Sequence, residues 1–165
     1  MSTDRKTGGC QCGAVRFETS ALLDAVYVCH CRLCQKSVGG PFAVFTKLPI
    51  AAFRWTRGAP AEWASSSLGV RQFCAQCGTP LGYRYATGPE TADQYLTAGG
   101  FDDYQAVVPT VQMGVESKAS WVDTLPKLPV HDFGANDPAS IYATLRNYQH
   151  PDREVAEWTP RPQED

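Results

Sequence analysis

The sequence predicts a mainly β domain of short antiparallel strands with few short helices, and three observations carry that expectation. Short runs that alternate apolar and polar residues recur along the chain, separated by glycine, proline and serine turns. A helical pattern is plausible at only two places, after Cys31 and near the carboxyl end. Seven cysteines fall into Cys-x-Cys and Cys-x-x-Cys spacings that need tight turns between extended segments.

The elements follow in order. Residues 14–19 alternate and read as a strand, and residues 25–28 form a second one running straight into Cys29. One or two helical turns are expected over residues 32–38, ended by Gly39-Gly40 and Pro41. Residues 42–48 and 52–56 read as strands separated by Pro49, and residues 62–65 and 70–73 as a pair joined across Ser66-Ser67-Leu68-Gly69. Residues 81–85 form an aromatic strand, 94–98 another, and 111–115 and 121–122 the last. Residues 141–148 are the best helix candidate, with Asp137, Pro138 and Ser140 as cap and first-turn residues. The expected organisation is a single domain over residues 1–149 and a loose, charged, proline-containing tail over 150–165.

A chain of 165 residues with 43% hydrophobic content can bury a core without disulfide staples. With 15 Lys+Arg against 17 Asp+Glu, the net charge is −2, and no basic run stands out. That balance argues against a nucleic-acid binder, whose affinity grows with the number of cations it sets against phosphates. No apolar stretch approaches the roughly 20 residues of a membrane span, and residues 1–9 lack the apolar core of a signal peptide. The expectation is a soluble, cytoplasmic protein.

An odd number of cysteines without an export signal makes a poor disulfide framework and a good metal framework. Tetrahedral zinc holds thiolates at about 2.3 Å, which sets ligand sulfurs roughly 3.8 Å apart. A Cys-x-x-Cys turn achieves this directly. A Cys-x-Cys pair on extended backbone lies about 6.6 Å apart, so the chain must kink between them. Cys10, Cys12, Cys74 and Cys77 together would make a closed four-sulfur site, structural by default. Cys29, Cys31 and Cys34 then stand as a trio with a fourth position open to water or substrate, the pattern of catalytic sites. The sequence leaves open a second structural site, completed by His30 or His131. His30 lies between two proposed ligands, so its ring is expected to point away from their metal. Zinc is the default ion for all-sulfur tetrahedra, two per chain.

Three blocks of the chain share a pattern: Gly8-Gly9-Cys10-Gln11-Cys12-Gly13, then Cys29-His30-Cys31-Arg32-Leu33-Cys34-Gln35-Lys36, then Phe73-Cys74-Ala75-Gln76-Cys77-Gly78-Thr79-Pro80. Together with Gly39-Gly40-Pro41-Phe42 and Glu116-Ser117-Lys118-Ala119-Ser120-Trp121, they resemble the glutathione-dependent formaldehyde-activating enzyme family over about residues 7–130. The zinc domain of centromere protein V belongs to the same family. The resemblance implies a β-tent of short antiparallel sheets around zinc, with one four-cysteine structural ion and one three-cysteine ion at the active site. It also implies carbon–sulfur lyase chemistry on a thiol–aldehyde adduct such as S-hydroxymethylglutathione, with glutathione as the small thiol. One departure is visible. Relatives often carry a histidine on the strand where this chain has Gln112, and an amide cannot replace a proton carrier near neutral pH.

The expected mechanism places a thiol substrate at the open position of the Cys29/Cys31/Cys34 zinc, where it is held as the nucleophilic thiolate. Arg32, Lys36 and Lys118 are the cations expected to hold the substrate, with Arg71 a further candidate, because charge-assisted hydrogen bonds favour carboxylates. Trp121, Tyr83, Tyr85 and Phe42 are candidate pocket walls. The rival class is a non-catalytic zinc module that binds protein or chromatin, as the kinship with centromere protein V implies.

Overall fold

The structure is a computed structural model, and it describes residues 5–21, 23, 25–132, 134 and 137–161. Its strands are β1 (Lys6–Gly9), β2 (Arg16–Thr19), β3 (Val26–Cys29), β4 (Ala43–Pro49) and β5 (Phe53–Arg57). They continue as β6 (Ala61–Ala64), β7 (Gly69–Phe73), β8 (Pro80–Tyr85), β9 (Asp93–Thr97) and β10 (Val111–Met113). The α-helix among the described residues is α1 (Arg32–Val38), which ends at Gly39 in the left-handed region. The mainly β expectation is met, and the strand and helix boundaries between residues 14 and 113 fall close to those read from alternation and turns.

Two sheets form. The smaller has the order β1-β2-β5, and the larger has the order β10-β3-β4-β9-β8-β7-β6, antiparallel throughout except for the parallel β10–β3 edge. The register of the larger sheet sorts its side chains onto two faces, because alternate residues point opposite ways. Val26 lies opposite Thr46, and Thr46 opposite Leu96. That face meets the smaller sheet, where Phe17 packs edge-on against Phe101 at 5.0 Å and Trp55 at 6.1 Å. Phe17, Val26, Leu48, Leu96, Phe101 and Val107 are the buried centre of this core. On the other face Tyr27 lies opposite Phe45, Tyr83 opposite Tyr95, and Arg71 opposite Tyr83. One sheet therefore has a core side and a tyrosine-rich side.

Four expectations change. Lys6–Gly9 is a strand despite its polar, glycine-containing sequence, because β2 and Phe101 accept it: a Cβ at Gly8 would lie 2.2 Å from the Gly100 carbonyl oxygen. Trp121-Val122 is no strand but part of a 3₁₀ segment, Ser120–Lys127, with Pro126 inside it and no neighbouring strand to pair with. The helix expected over 141–148 shrinks to one 3₁₀ turn, Ile141–Thr144, in which Ile141 is 80% exposed. A short helix with no face to bury is not stable beyond its first turn. Residues 150–161 carry no helix or strand, yet they are not loose. His150 is buried and its amide donates to the Gln11 carbonyl at 2.8 Å, while Trp158 Nε1 donates to the Cys12 carbonyl at 2.8 Å. These two carbonyls lie in the first cysteine turn and have no strand partner, so the terminal segment satisfies them. No helix among the described residues is long and apolar enough to cross a membrane.

Candidate metal centres and active site

The cysteines divide as their spacing implied. Sulfurs of Cys10, Cys12, Cys74 and Cys77 all lie within 4.8 Å of one another, and so do those of Cys29, Cys31 and Cys34. All seven are free thiols.

The quartet is built from two turns that approach from different parts of the chain. In the first, the Gly13 amide donates to the Cys10 carbonyl at 3.0 Å and Gly13 takes φ +75°, which kinks the chain so that Cys10 and Cys12 sulfurs stand 3.6 Å apart. A side chain at Gly13 would meet His150 at 2.4 Å. In the second turn the Gly78 amide donates to the Cys74 carbonyl at 2.9 Å. Cys12 and Cys74 sulfurs are 3.8 Å apart, close to the edge of a zinc–thiolate tetrahedron, roughly 3.8 Å. The Val15 amide donates to Cys10 Sγ at 3.2 Å, and Thr79 Oγ1 lies 3.1 Å from Cys77 Sγ. Burial pushes the Cys10 and Cys12 thiols up. Burial acts the same way on Cys77, but hydrogen bonds from Thr79 outweigh it and hold that thiol down at about 6. Donor set and spacing both fit a soft divalent ion enclosed by four sulfurs.

The trio sits where β3 runs into α1. Cys29 ends the strand, Cys31 caps the helix and Cys34 lies in its first turn, so the chain bends around the three sulfurs. Cys29 and Cys31 sulfurs are 3.4 Å apart. The His30 amide donates to the Met113 carbonyl at 2.9 Å, and Gly114, at φ +66°, lets the backbone after β10 approach Cys31. A Cβ at Gly114 would come within 2.8 Å of the Cys31 nitrogen. His30 is buried and turned away from the sulfurs: its Nε2 lies 3.0 Å from Gln112 Oε1 and its ring stands edge-on to Phe42 at 5.5 Å. Gln112 thus holds His30 in place. Among the described residues, no histidine, aspartate or glutamate joins the trio.

Arg71 is the cation beside these sulfurs. It is 9% exposed, its Nη2 donates to Cys34 Sγ at 3.4 Å, and its guanidinium lies 4.6 Å from the Tyr83 ring centre and 5.8 Å from that of Phe45. Its Nε and Nη1 are buried without a hydrogen-bond partner, and among the described residues no carboxylate pairs with it. A buried charge is tolerated when an opposite charge lies near. Thiolates at the trio would provide that charge. Burial raises the Cys29 thiol to about 12 and pushes Cys34 up, the latter opposed by Arg71. For Cys31, burial is outweighed by hydrogen bonding with Cys34 and Cys29, and the thiol is lowered.

The three sulfurs open onto a cavity of about 400 Å³ walled by Tyr27, Tyr83, Tyr85, Tyr95, Phe45, Leu33 and Met113. Tyr83 and Tyr85, expected as walls, line it; Phe42 packs on His30 instead, and Trp121 lies outside it, half exposed. The three cations expected at the substrate do not line it. Arg32 bonds to Gln35, Lys36 faces a second cavity on the far side of Arg71, and Lys118 pairs with Asp123. Sequence reasoning passed over Tyr27, although it lies two residues before Cys29 on the same strand face, a signal strand alternation could have supplied.

The chain is similar to known proteins. Residues 5–117 match the family described as glutathione-dependent formaldehyde-activating enzyme. The chain belongs to this family. Among its relatives, an uncharacterized lyase of Schizosaccharomyces pombe (strain 972 / ATCC 24843) is 27% identical over 118 residues, covering 70% of this chain and 82% of that one. A crystal structure of a Rhodobacter sphaeroides protein superposes with a TM-score of 0.53 at 18% identity, covering 65% of this chain and 99% of the other, which places the fold. The matched span of this formaldehyde-activating-enzyme domain includes every cysteine of both clusters and stops before the terminal segment that covers the first turn of the quartet.

Proposed function

We propose that the chain is a zinc-dependent, lyase-type enzyme that makes and breaks the carbon–sulfur bond between an aldehyde and a small thiol such as glutathione, with Cys29, Cys31 and Cys34 at the reaction centre. One observation carries this reading: four sulfurs converge at one cluster and three at the other, and the three open onto a cavity. Four thiolates close a tetrahedral ion, whereas three leave a position for a small molecule. Zinc held by the trio supplies a Lewis acid that favours a thiolate over a thiol at that open position.

The chain's own residues contribute the surroundings. Arg71 sets a fixed positive charge against Cys34 and so favours an anionic set of sulfurs. Tyr83, whose phenol burial raises to about 12, stays protonated at neutral pH and sets its ring against the Arg71 guanidinium on the cavity wall. The aromatic walls set apolar surface around the sulfurs, where each of these electrostatic effects is stronger than in bulk water. Family membership supports the reaction class, and so does the lyase name of the yeast relative.

Cys31→Ser tests the reading. The expected variant keeps its circular dichroism spectrum, loses one of two zinc equivalents by elemental analysis, and no longer accelerates exchange between a thiol and its aldehyde adduct. Loss of the fold together with that ion would make the trio structural and end the lyase reading.

A further inference from the structure

Resting on the carbon–sulfur reading above, we propose that the carbonyl partner at the trio is an aldehyde with an apolar body, a ring or an alkyl chain, rather than formaldehyde. Size is the first ground. The cavity of about 400 Å³ lies within the range of pockets that hold drug-sized ligands, about 300–1,000 Å³, whereas formaldehyde is one carbon and one oxygen.

The walls are the second ground. Tyr83, Tyr85 and Tyr95 pack mutually edge-on, with ring centres 5.1, 5.8 and 5.9 Å apart, so the cavity presents fixed aromatic surfaces. A one-carbon substrate would leave most of that surface wet. At the mouth, Leu33 is 56% exposed on α1 and Met113 is 42% exposed on β10. An apolar ligand would cover both, and a hydrated small aldehyde neither.

Charge is the third. Arg71 is the one cation among the described lining residues, and it already faces Cys34. A charged peptide thiol finds no further ionic partner on these walls. Its polar remainder is therefore left to solvent, and the apolar walls suit the body of the carbonyl partner. The reaction balances without a redox step: the S–H bond of the thiol breaks, sulfur bonds to the carbonyl carbon, and the proton goes to the carbonyl oxygen, giving the S-(1-hydroxyalkyl) adduct.

The test mixes the full metal-loaded chain with glutathione and either benzaldehyde or formaldehyde, and follows exchange between free aldehyde and adduct by magnetisation-transfer NMR. The expected result is an acceleration over the spontaneous rate about tenfold or more larger for benzaldehyde, as apolar pockets discriminate. Met113→Asp, checked for retained fold, should reduce that preference severalfold. Acceleration of formaldehyde alone, or a preference untouched by Met113→Asp, overturns this inference and leaves the carbon–sulfur reading standing. Acceleration of neither aldehyde overturns the reading and this inference with it.

Discussion

The two cysteine clusters use the same ligand atom and nearly the same spacing, but their neighbours differ. Around the quartet the partners are backbone amides, Thr79 and a terminal segment: the Val15 amide bonds to Cys10, Trp158 bonds to the Cys12 carbonyl, and Arg57 donates to the Gly13 and Val155 carbonyls at 3.2 and 2.7 Å. Around the trio the neighbours are a buried guanidinium and the rings of a cavity. The first environment holds backbone in place. The second places charge and apolar surface where a small molecule can reach them. The two clusters therefore differ in the material packed around them as well as in their number of sulfurs.

The comparison breaks most sharply by removing one sulfur from each side. Cys74→Ser should abolish folding, since structural zinc in small domains contributes about 10–16 kcal/mol against a net stability of about 5–15 kcal/mol; soluble yield and circular dichroism report it. Survival of a folded Cys74→Ser protein alongside collapse of Cys31→Ser would invert the assignment of the two clusters.

Next in size is the ion pair that ties the quartet's side of the fold together. Arg16, with 4% of its side chain exposed, is held by both oxygens of Asp102 and by Glu154 at 3.1 Å. The Asp102 carboxylate, together with burial, decides the state of Arg16: burial lowers it, but the pairing with Asp102 outweighs this and raises it. Asp102→Ala leaves a buried cation facing only Glu154 and should cost about 3–5 kcal/mol in denaturant unfolding, with trio zinc still present.

A smaller effect is expected on the trio's side. Arg71→Met keeps the volume and removes the charge beside Cys34, so zinc at the trio should transfer to a competing chelator about tenfold more readily, a change of about 1.4 kcal/mol, while quartet zinc stays. Equal release from both sites would show that Arg71 has no electrostatic hold on the trio. Smallest is Trp158→Phe, which deletes the hydrogen bond to the Cys12 carbonyl. It should cost about 1 kcal/mol, read as a lower unfolding midpoint and faster loss of quartet zinc alone.

Much of this was legible beforehand because it is local. A Cys-x-x-Cys turn brings sulfurs together through backbone geometry that neighbouring residues dictate, so the trio and each half of the quartet follow from spacing, whereas the joining of Cys10 and Cys12 to Cys74 and Cys77 was an inference that the fold bears out. Strand alternation gave most of the sheet, and α1 was marked by Gly39-Gly40 and Pro41. The misses are non-local. Lys6–Gly9 becomes a strand only because β2 and Phe101 lie beside it, and Ile141–Thr144 stops at one turn because its residues stay exposed and bury no apolar face.

From its sequence alone, the chain determined its mainly β class, its family resemblance and the three local groups of cysteines, since these depend on residues a few positions apart; that the first group joins the third, 62 residues on, was decided by the fold. The tertiary structure decided which cation faces the trio, which rings wall its cavity and what the terminal segment covers. Those depend on strand register: it brings Arg71 from β7 opposite Tyr83 on β8 and sets both beside a helix that begins forty residues earlier in the chain, roughly, a distance over which spacing carries no information.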